Sequence, residues 1–340
     1  MRLLVVEGNP SPARESLITA GGVPGGRLYA EVLSGLTPEV AIDVIHPADA
    51  EPRLSPGTTL ADYDGVVVSG SRLHVYDDTP AVGRQIALVR AALEAGVPVL
   101  GSCWGAQVAT VAAGGRVAKS PRGREIGFAR KIALTPAGRG SPLYDGKAAA
   151  FDSLAVHYDE ITQVPAGAVV LAANGHAAVQ ALAFTWRGGA VFGVQYHPEF
   201  DLRHVARLVV NGTPAMIEQG FFADAAAARD YAAMLETLHA DPTRRDLAWR
   251  LGIDDDVLDA GYRRLEIRNW VECVVRPAMA ASSVSGSWRG LAVIESPIHT
   301  ESKPAASARS ARARSGPVSG RPDMIASRVG ISTPNWAAMS

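Results

Sequence analysis

Short apolar runs recur along the chain up to about residue 200, at 2–7, 41–45, 65–69, 97–101, 128–134, 150–153, 169–173, 179–184 and 191–195. Runs of this length, rich in Val, Ile and Leu, predict buried strands. Between several of them the apolar positions take a helical spacing, at 26–35, 81–94 and 106–113. Strands alternating with helices predict crossover units and a three-layer α/β domain with a mostly parallel sheet. The later runs follow one another with little helix between them, which predicts an antiparallel subsheet. Residues 1–205 are therefore assigned to one α/β domain.

Residues 206–277 carry a different pattern. The segment 224–238 is Ala-rich, with Tyr231, Met234, Leu235 and Leu238 along one side. Segments 244–251 and 254–270 continue in the same way. Such amphipathic spacing predicts a helical extension that packs on the domain or forms an oligomer contact. From residue 278 to 340 Ser, Ala, Arg and Pro dominate and no apolar period persists, which predicts a disordered tail. The Gly-rich stretch 21–26 lacks the spacing of a phosphate loop and reads as a flexible connection, placed to lie over a site at the sheet edge.

Composition narrows the function. The 340 residues are 47% hydrophobic with a formal net charge of -1, so bulk charge gives no footing for a nucleic-acid binder. No apolar run is long enough for a membrane span, and the N-terminus lacks a signal-peptide pattern. Two cysteines, Cys103 and Cys273, exclude a disulfide framework and point to a reducing cytoplasm. No spacing of His, Asp and Glu suits a metal, so no cofactor is expected. His74 and His176 read as isolated surface residues.

The candidate chemistry lies in two segments. In Gly101-Ser102-Cys103-Trp104-Gly105-Ala106-Gln107 a buried strand ends and a helix begins, with Cys103 at the turn. That turn has nucleophile-elbow geometry. The helix N-terminus favours a thiolate there, and the amide of Trp104 is placed to stabilise an oxyanion. By itself the pattern fits a buried core thiol equally well. The second segment, Val191-Phe192-Gly193-Val194-Gln195-Tyr196-His197-Pro198-Glu199, is a strand ending in His-Pro-Glu. If the two strands are neighbours, His197 meets Cys103 at the carboxyl edge of the sheet, where catalytic groups collect. His197 then accepts the thiol proton and protonates a leaving amine, and Glu199 orients the imidazole.

Together these residues resemble the class I glutamine amidotransferase family, whose Gly-x-Cys-x-Gly-x-Gln elbow pairs with a distant Gln-x-His-Pro-Glu. The resemblance covers about residues 1–205 and looks nearest to stand-alone members and to the amidotransferase domain of GMP synthase. It implies a flavodoxin-like fold and a Cys103–His197–Glu199 triad that hydrolyses the glutamine side-chain amide through a γ-glutamyl thioester. It also implies a second oxyanion amide at Gly70, within 63–71, and substrate contacts from Gln107, His157 and Asp159. Glu125 is expected to line the same pocket, and Tyr76-Asp77-Asp78 lies in the loop after the oxyanion strand. Three positions depart from the family pattern. Ser71 stands for the second glycine of the oxyanion loop, Trp104 for a Tyr, Leu or Phe, and Val156 for a serine before the histidine.

No synthetase domain or nucleotide loop follows. A glutamine amidotransferase of this kind passes its ammonia to an acceptor on another chain. The missing synthetase keeps a stand-alone hydrolase of γ-glutamyl amines or peptides open. A catalytically silent regulatory or binding subunit is the third possibility, disfavoured by the intact triad residues.

Overall fold

Four apolar residues in a row, Leu3-Leu4-Val5-Val6, serve two cores at once because neighbouring strand residues point to opposite faces. Leu3 and Val5 join a cluster with Tyr29, Val67, Leu100 and Trp270, while Leu4 and Val6 join one with Val66, Val68, Val89 and Val99. Each fully buried Leu or Val contributes about 1.5–3 kcal/mol of transfer free energy, which is why residues 3–6 carry no polar side chain. The computed structural model describes residues 1–285 of the chain. The strands are β1 Arg2–Val6, β2 Ala41–Ile45, β3 Gly65–Val68, β4 Val99–Ser102, β5 Arg116–Lys119, β6 Glu125–Leu134, β7 Ala150–His157, β8 Asp159–Gln163, β9 Val169–Ala173, β10 Ala181–Trp186 and β11 Gly189–Val194.

Nine of them form one sheet in the order β2-β1-β3-β4-β11-β10-β9-β6-β7. From β2 to β11 every pairing is parallel, and from β11 to β7 every pairing is antiparallel. This is the expected α/β sheet with its antiparallel half. The pair β5-β8 forms a separate two-stranded ribbon absent from the sequence reading. β5 (Arg116-Val117-Ala118-Lys119) buries only Val117, so it carries no apolar run.

Helices α1 Ser11–Thr19, α2 Gly25–Leu36, α3 Pro80–Glu94 and α4 Trp104–Ala112 lie within this part of the chain. Residues of α2 fill the first cluster and residues of α3 and α4 the second, giving the layers on the two faces. The Gly-rich stretch is partly ordered, since Gly25 and Gly26 open α2 and the Gly26 amide donates to the buried Glu7 Oε2 at 2.7 Å.

After the short α5 Pro136–Arg139, the C-terminal helices are α6 Leu202–Glu218, α7 Ala225–Ala240 and α8 Arg245–Leu251. They build a third cluster over Phe128 and Leu154 of the antiparallel half. The helical run then continues through Leu265–Trp270 to Arg276–Ser285, across the boundary drawn at 277/278. Trp270 is fully buried in the first cluster, against the parallel strands. Glu266 pairs with Lys147 at 3.0 Å, both side chains buried, and accepts from the Tyr196 hydroxyl at 2.7 Å. Tyr196 in turn meets Tyr144 at 2.8 Å. Losing either charge of such a buried pair leaves the other uncompensated, so these helices are bound to the segment that carries His197. The tail expected from residue 278 lies outside the described residues from 286 onward.

Candidate active site

Cys103 stands between β4 and α4, capping the helix, with φ 50° and ψ -103°, a conformation L-residues rarely adopt. Such strain costs about 1–3 kcal/mol and persists only where the surroundings enforce it. Here two glycines and one hydrogen bond enforce it. A Cβ at Gly101 would stand 2.3 Å from the Gly105 carbonyl carbon, and one at Gly105 would stand 2.2 Å from the Val68 oxygen. The Cys103 amide donates to the Val194 carbonyl of β11 at 2.7 Å. The thiol is buried and points Sγ at the Val156 carbonyl, 3.7 Å away.

β4 pairs directly with β11, Ser102 opposite Val194, so the turns after the two strands adjoin. The His197 amide donates to the Leu154 carbonyl at 2.8 Å, and its Nδ1 lies 2.6 Å from Glu199 Oε1. Nε2 is left for the thiol side, where the Cys103 side chain acts on the imidazole. Burial alone would drive His197 towards the neutral form. The Glu199 charge and the Cys103 and Glu199 hydrogen bonds outweigh it and raise the pKa from 6.5 to about 10. The structure thus brings Cys103, His197 and Glu199 together.

Gly70 follows β3 and lies against the imidazole, where a Cβ would come 2.7 Å from His197 Cε1. The loop it opens is shaped by Asn9, whose Oδ1 accepts from the Arg72 amide at 2.9 Å, while Ser71 Oγ accepts from the Leu73 amide at 3.2 Å. Trp104 is the first residue of α4, where helical amides lack an intrahelical partner. Its buried indole donates to Gln85 Oε1 at 2.7 Å, which fixes the helix start.

The other three expected contacts are drawn into a buried polar network. Gln107 Nε2 donates to the Asp159 carbonyl at 3.2 Å and to Gln195 Oε1 at 3.3 Å. His157 Nδ1 lies 3.0 Å from the same carbonyl and its Nε2 2.7 Å from Glu125 Oε2. Glu125 also accepts from Asn174 and Gln180. Burial opposes its charge, but the bonds from His157 and Asn174 hold its pKa below the usual value. The Asp159 carboxylate takes His74 at 2.7 Å and the Tyr76 hydroxyl at 3.0 Å. His74 is therefore tied to the site rather than isolated. His176 is half-buried, with its ring edge-on to His157 at 5.5 Å. At Val156, where the family often has serine, it is the backbone oxygen that faces the thiol.

Two neighbours were not foreseen. Phe200 stacks on His197 with ring centroids 3.8 Å apart and 4° between the planes, and His204 of α6 lies 4.2 Å behind Phe200. Burial lowers the His204 pKa from 6.5 to about 4, against the pull of Glu199. An unfolded chain would bind a proton there at 6.5, so acid favours unfolding between these values. Stability falls by up to about 3 kcal/mol as pH drops from 6.5 to about 4. His204→Leu flattens that part of a melting-temperature-against-pH curve, and an unchanged acid slope would assign it to other groups.

A model of the family described as glutamine amidotransferase class-I matches residues 36–211. The chain belongs to this family. A γ-glutamyl-L-1-hydroxyisopropylamide hydrolase from a Pseudomonas species is 30% identical over 294 residues, covering 85% of this chain and 98% of that enzyme. The GMP synthase of Bordetella avium is 32% identical over 163 residues, 46% of this chain. The chain spans only 28% of that synthase. Among solved structures, a glutamine amidotransferase from Thermotoga maritima aligns with a TM-score of 0.57 over 80% of this chain and 98% of its own, at 17% identity. One from Methylobacillus flagellatus gives 0.52 over 82% and 94%, at 23% identity. These two support the class-I amidotransferase fold. Among the described residues, no helix is long and apolar enough to cross a membrane.

Proposed function

We propose that this protein hydrolyses a γ-glutamyl amide with Cys103 as nucleophile, and that its substrate is the γ-glutamyl derivative of a small amine. The observation that carries the chemistry is the Cys103–His197–Glu199 arrangement at one sheet edge, with the 2.6 Å His197–Glu199 contact buried. The Cys103 thiolate attacks the γ-carbonyl carbon, and the Gly70 and Trp104 amides take the oxyanion. The His197 imidazolium gives its proton to the amide nitrogen, the C–N bond breaks, and the amine leaves. Neutral His197 then takes a proton from water, which attacks the thioester and releases glutamate and the thiol. Gln107, His157 and Asp159 shape the floor under the glutamyl group.

The amine-derivative reading rests on coverage. The Pseudomonas hydrolase matches the chain into its C-terminal helices, whereas the GMP synthase match stops at 46% of the chain. The second reading, glutamine hydrolysis with ammonia passed to an acceptor on another chain, is favoured by the synthase match itself. Glutamate release from glutamine and from γ-glutamylethylamide, measured side by side, separates them. Faster turnover of the ethylamide is expected, a preference for glutamine selects the second reading, and silence on both removes the hydrolase reading.

A further inference from the structure

Ser102 fills the variable position of the elbow, one residue before the thiol. Strand alternation sends its side chain to the face that Leu100 and Tyr29 occupy. Ser102 is fully buried there. Its hydroxyl donates to Glu199 Oε1 at 3.0 Å, the same oxygen that stands 2.6 Å from His197 Nδ1. The second carboxylate oxygen, Oε2, is buried with no partner at hydrogen-bond distance, and the Tyr29 hydroxyl lies in the same pocket, close enough to act on both Ser102 and Glu199. Burial first, then the nearby Glu199 charge, raises the Tyr29 pKa well above its usual value.

A buried carboxylate with one oxygen lacking a close partner is restrained only through its other oxygen against turning about its last torsion, which has a broad minimum. Besides His197 Nδ1 itself, the contact that opposes such turning is the Ser102 hydroxyl bond, and it comes from the strand that leads to the thiol. We infer that Ser102 is a positioning residue that holds Glu199 Oε1 on His197 Nδ1, and through it keeps the Cys103–His197 pair in its reactive form. This rests on Cys103 being the reacting thiol, as argued above. Glu199 and the nucleophile are then tied to adjacent residues, Ser102 at the end of β4 and Cys103 just after it, so their spacing is set by this strand end.

The test is alkylation of Cys103 by iodoacetamide, resolved by mass spectrometry and followed against pH in the full-length protein. Half-buried Cys273 serves as the ordinary thiol in every sample. Cys103 of the wild type is expected to react faster than Cys273 near neutral pH. Ser102→Ala is expected to slow Cys103 about tenfold near neutral pH and to move the rise of its profile up by about one pH unit. Ser102→Thr keeps the hydroxyl, suits a strand, and is expected to restore the profile. An unshifted Ser102→Ala profile overturns the inference and leaves the thiol reading standing. A threonine variant that behaves like alanine also overturns it, because packing rather than the hydroxyl would then be responsible. A wild-type Cys103 no more reactive than Cys273 defeats the reading of the thiol, and this inference with it.

Discussion

Cys103→Ala is expected to lower glutamate release from a γ-glutamyl amide by on the order of 10^4-fold or more, the size seen when a covalent nucleophile is removed. The substitution deletes one sulfur atom and keeps the backbone, so the elbow conformation at φ 50° is retained. The fold is expected to survive, because the enforcing contacts are the glycines at 101 and 105 and the bond to Val194, none of which involves Sγ. Substrate affinity should survive as well, since Gln107, His157 and Asp159 keep their partners. Binding by calorimetry and turnover by glutamate release therefore separate cleanly. Hydroxylamine should trap the thioester in the wild type and nothing in the variant. A variant that retains a tenth of the activity would place the nucleophile elsewhere.

The features that could be read without a structure are those where one residue type has one physical use. A β-branched strand followed by Gly-x-Cys-x-Gly reads as a strand-to-helix turn because only small residues permit the approach found between Gly105 and Val68. His-Pro-Glu after a buried strand is legible in the same way. Pairings made across the sheet were not legible, although Glu125 itself was expected to line the pocket. Glu125 reaches His157 because β6 and β7 pair at that register, 32 positions apart in sequence. Phe200 stacks on His197 from three positions along the turn, and His204 reaches the far side of Phe200 only once α6 is formed. His74 and Tyr76 find Asp159 across the ribbon edge, whereas in sequence Tyr76 is marked only by its place in the loop after the oxyanion strand and His74 reads as isolated. α1 was missed because Ser11-Pro12-Ala13-Arg14-Glu15-Ser16 offers almost no apolar face, with Leu17 its single buried residue. β6 and β7 run longer than expected because the added segments 125–127 and 154–157 end in polar Glu125 and His157, which are buried and hydrogen-bonded to each other.

Glu199→Gln tests the electrostatics of the site more sharply than removal of any contact. Glutamine keeps the shape and an oxygen for Nδ1 but removes the charge. Two opposing effects act on His197: burial drives it neutral, and the Glu199 charge, with the bonds from Cys103 and Glu199, raises it to about 10. Without the charge, burial meets weaker opposition, and the imidazole titrates below its former value. The thiolate–imidazolium pair then collapses to neutral thiol and imidazole, and turnover is expected to fall by about 10^2–10^4-fold. The same change shows in stability. A histidine whose folded pKa lies above 6.5 stabilises the fold fully below 6.5, and that contribution is lost as pH rises towards about 10. The wild type should therefore lose stability across this alkaline window, and Glu199→Gln should lose less across it while being less stable at neutral pH. Unfolding midpoints in urea against pH, read beside the NMR titration of His197, check both signs. A variant that kept the wild-type alkaline slope would show that Glu199 only aligns the ring, and the charge that holds the imidazolium would have to come from the thiolate.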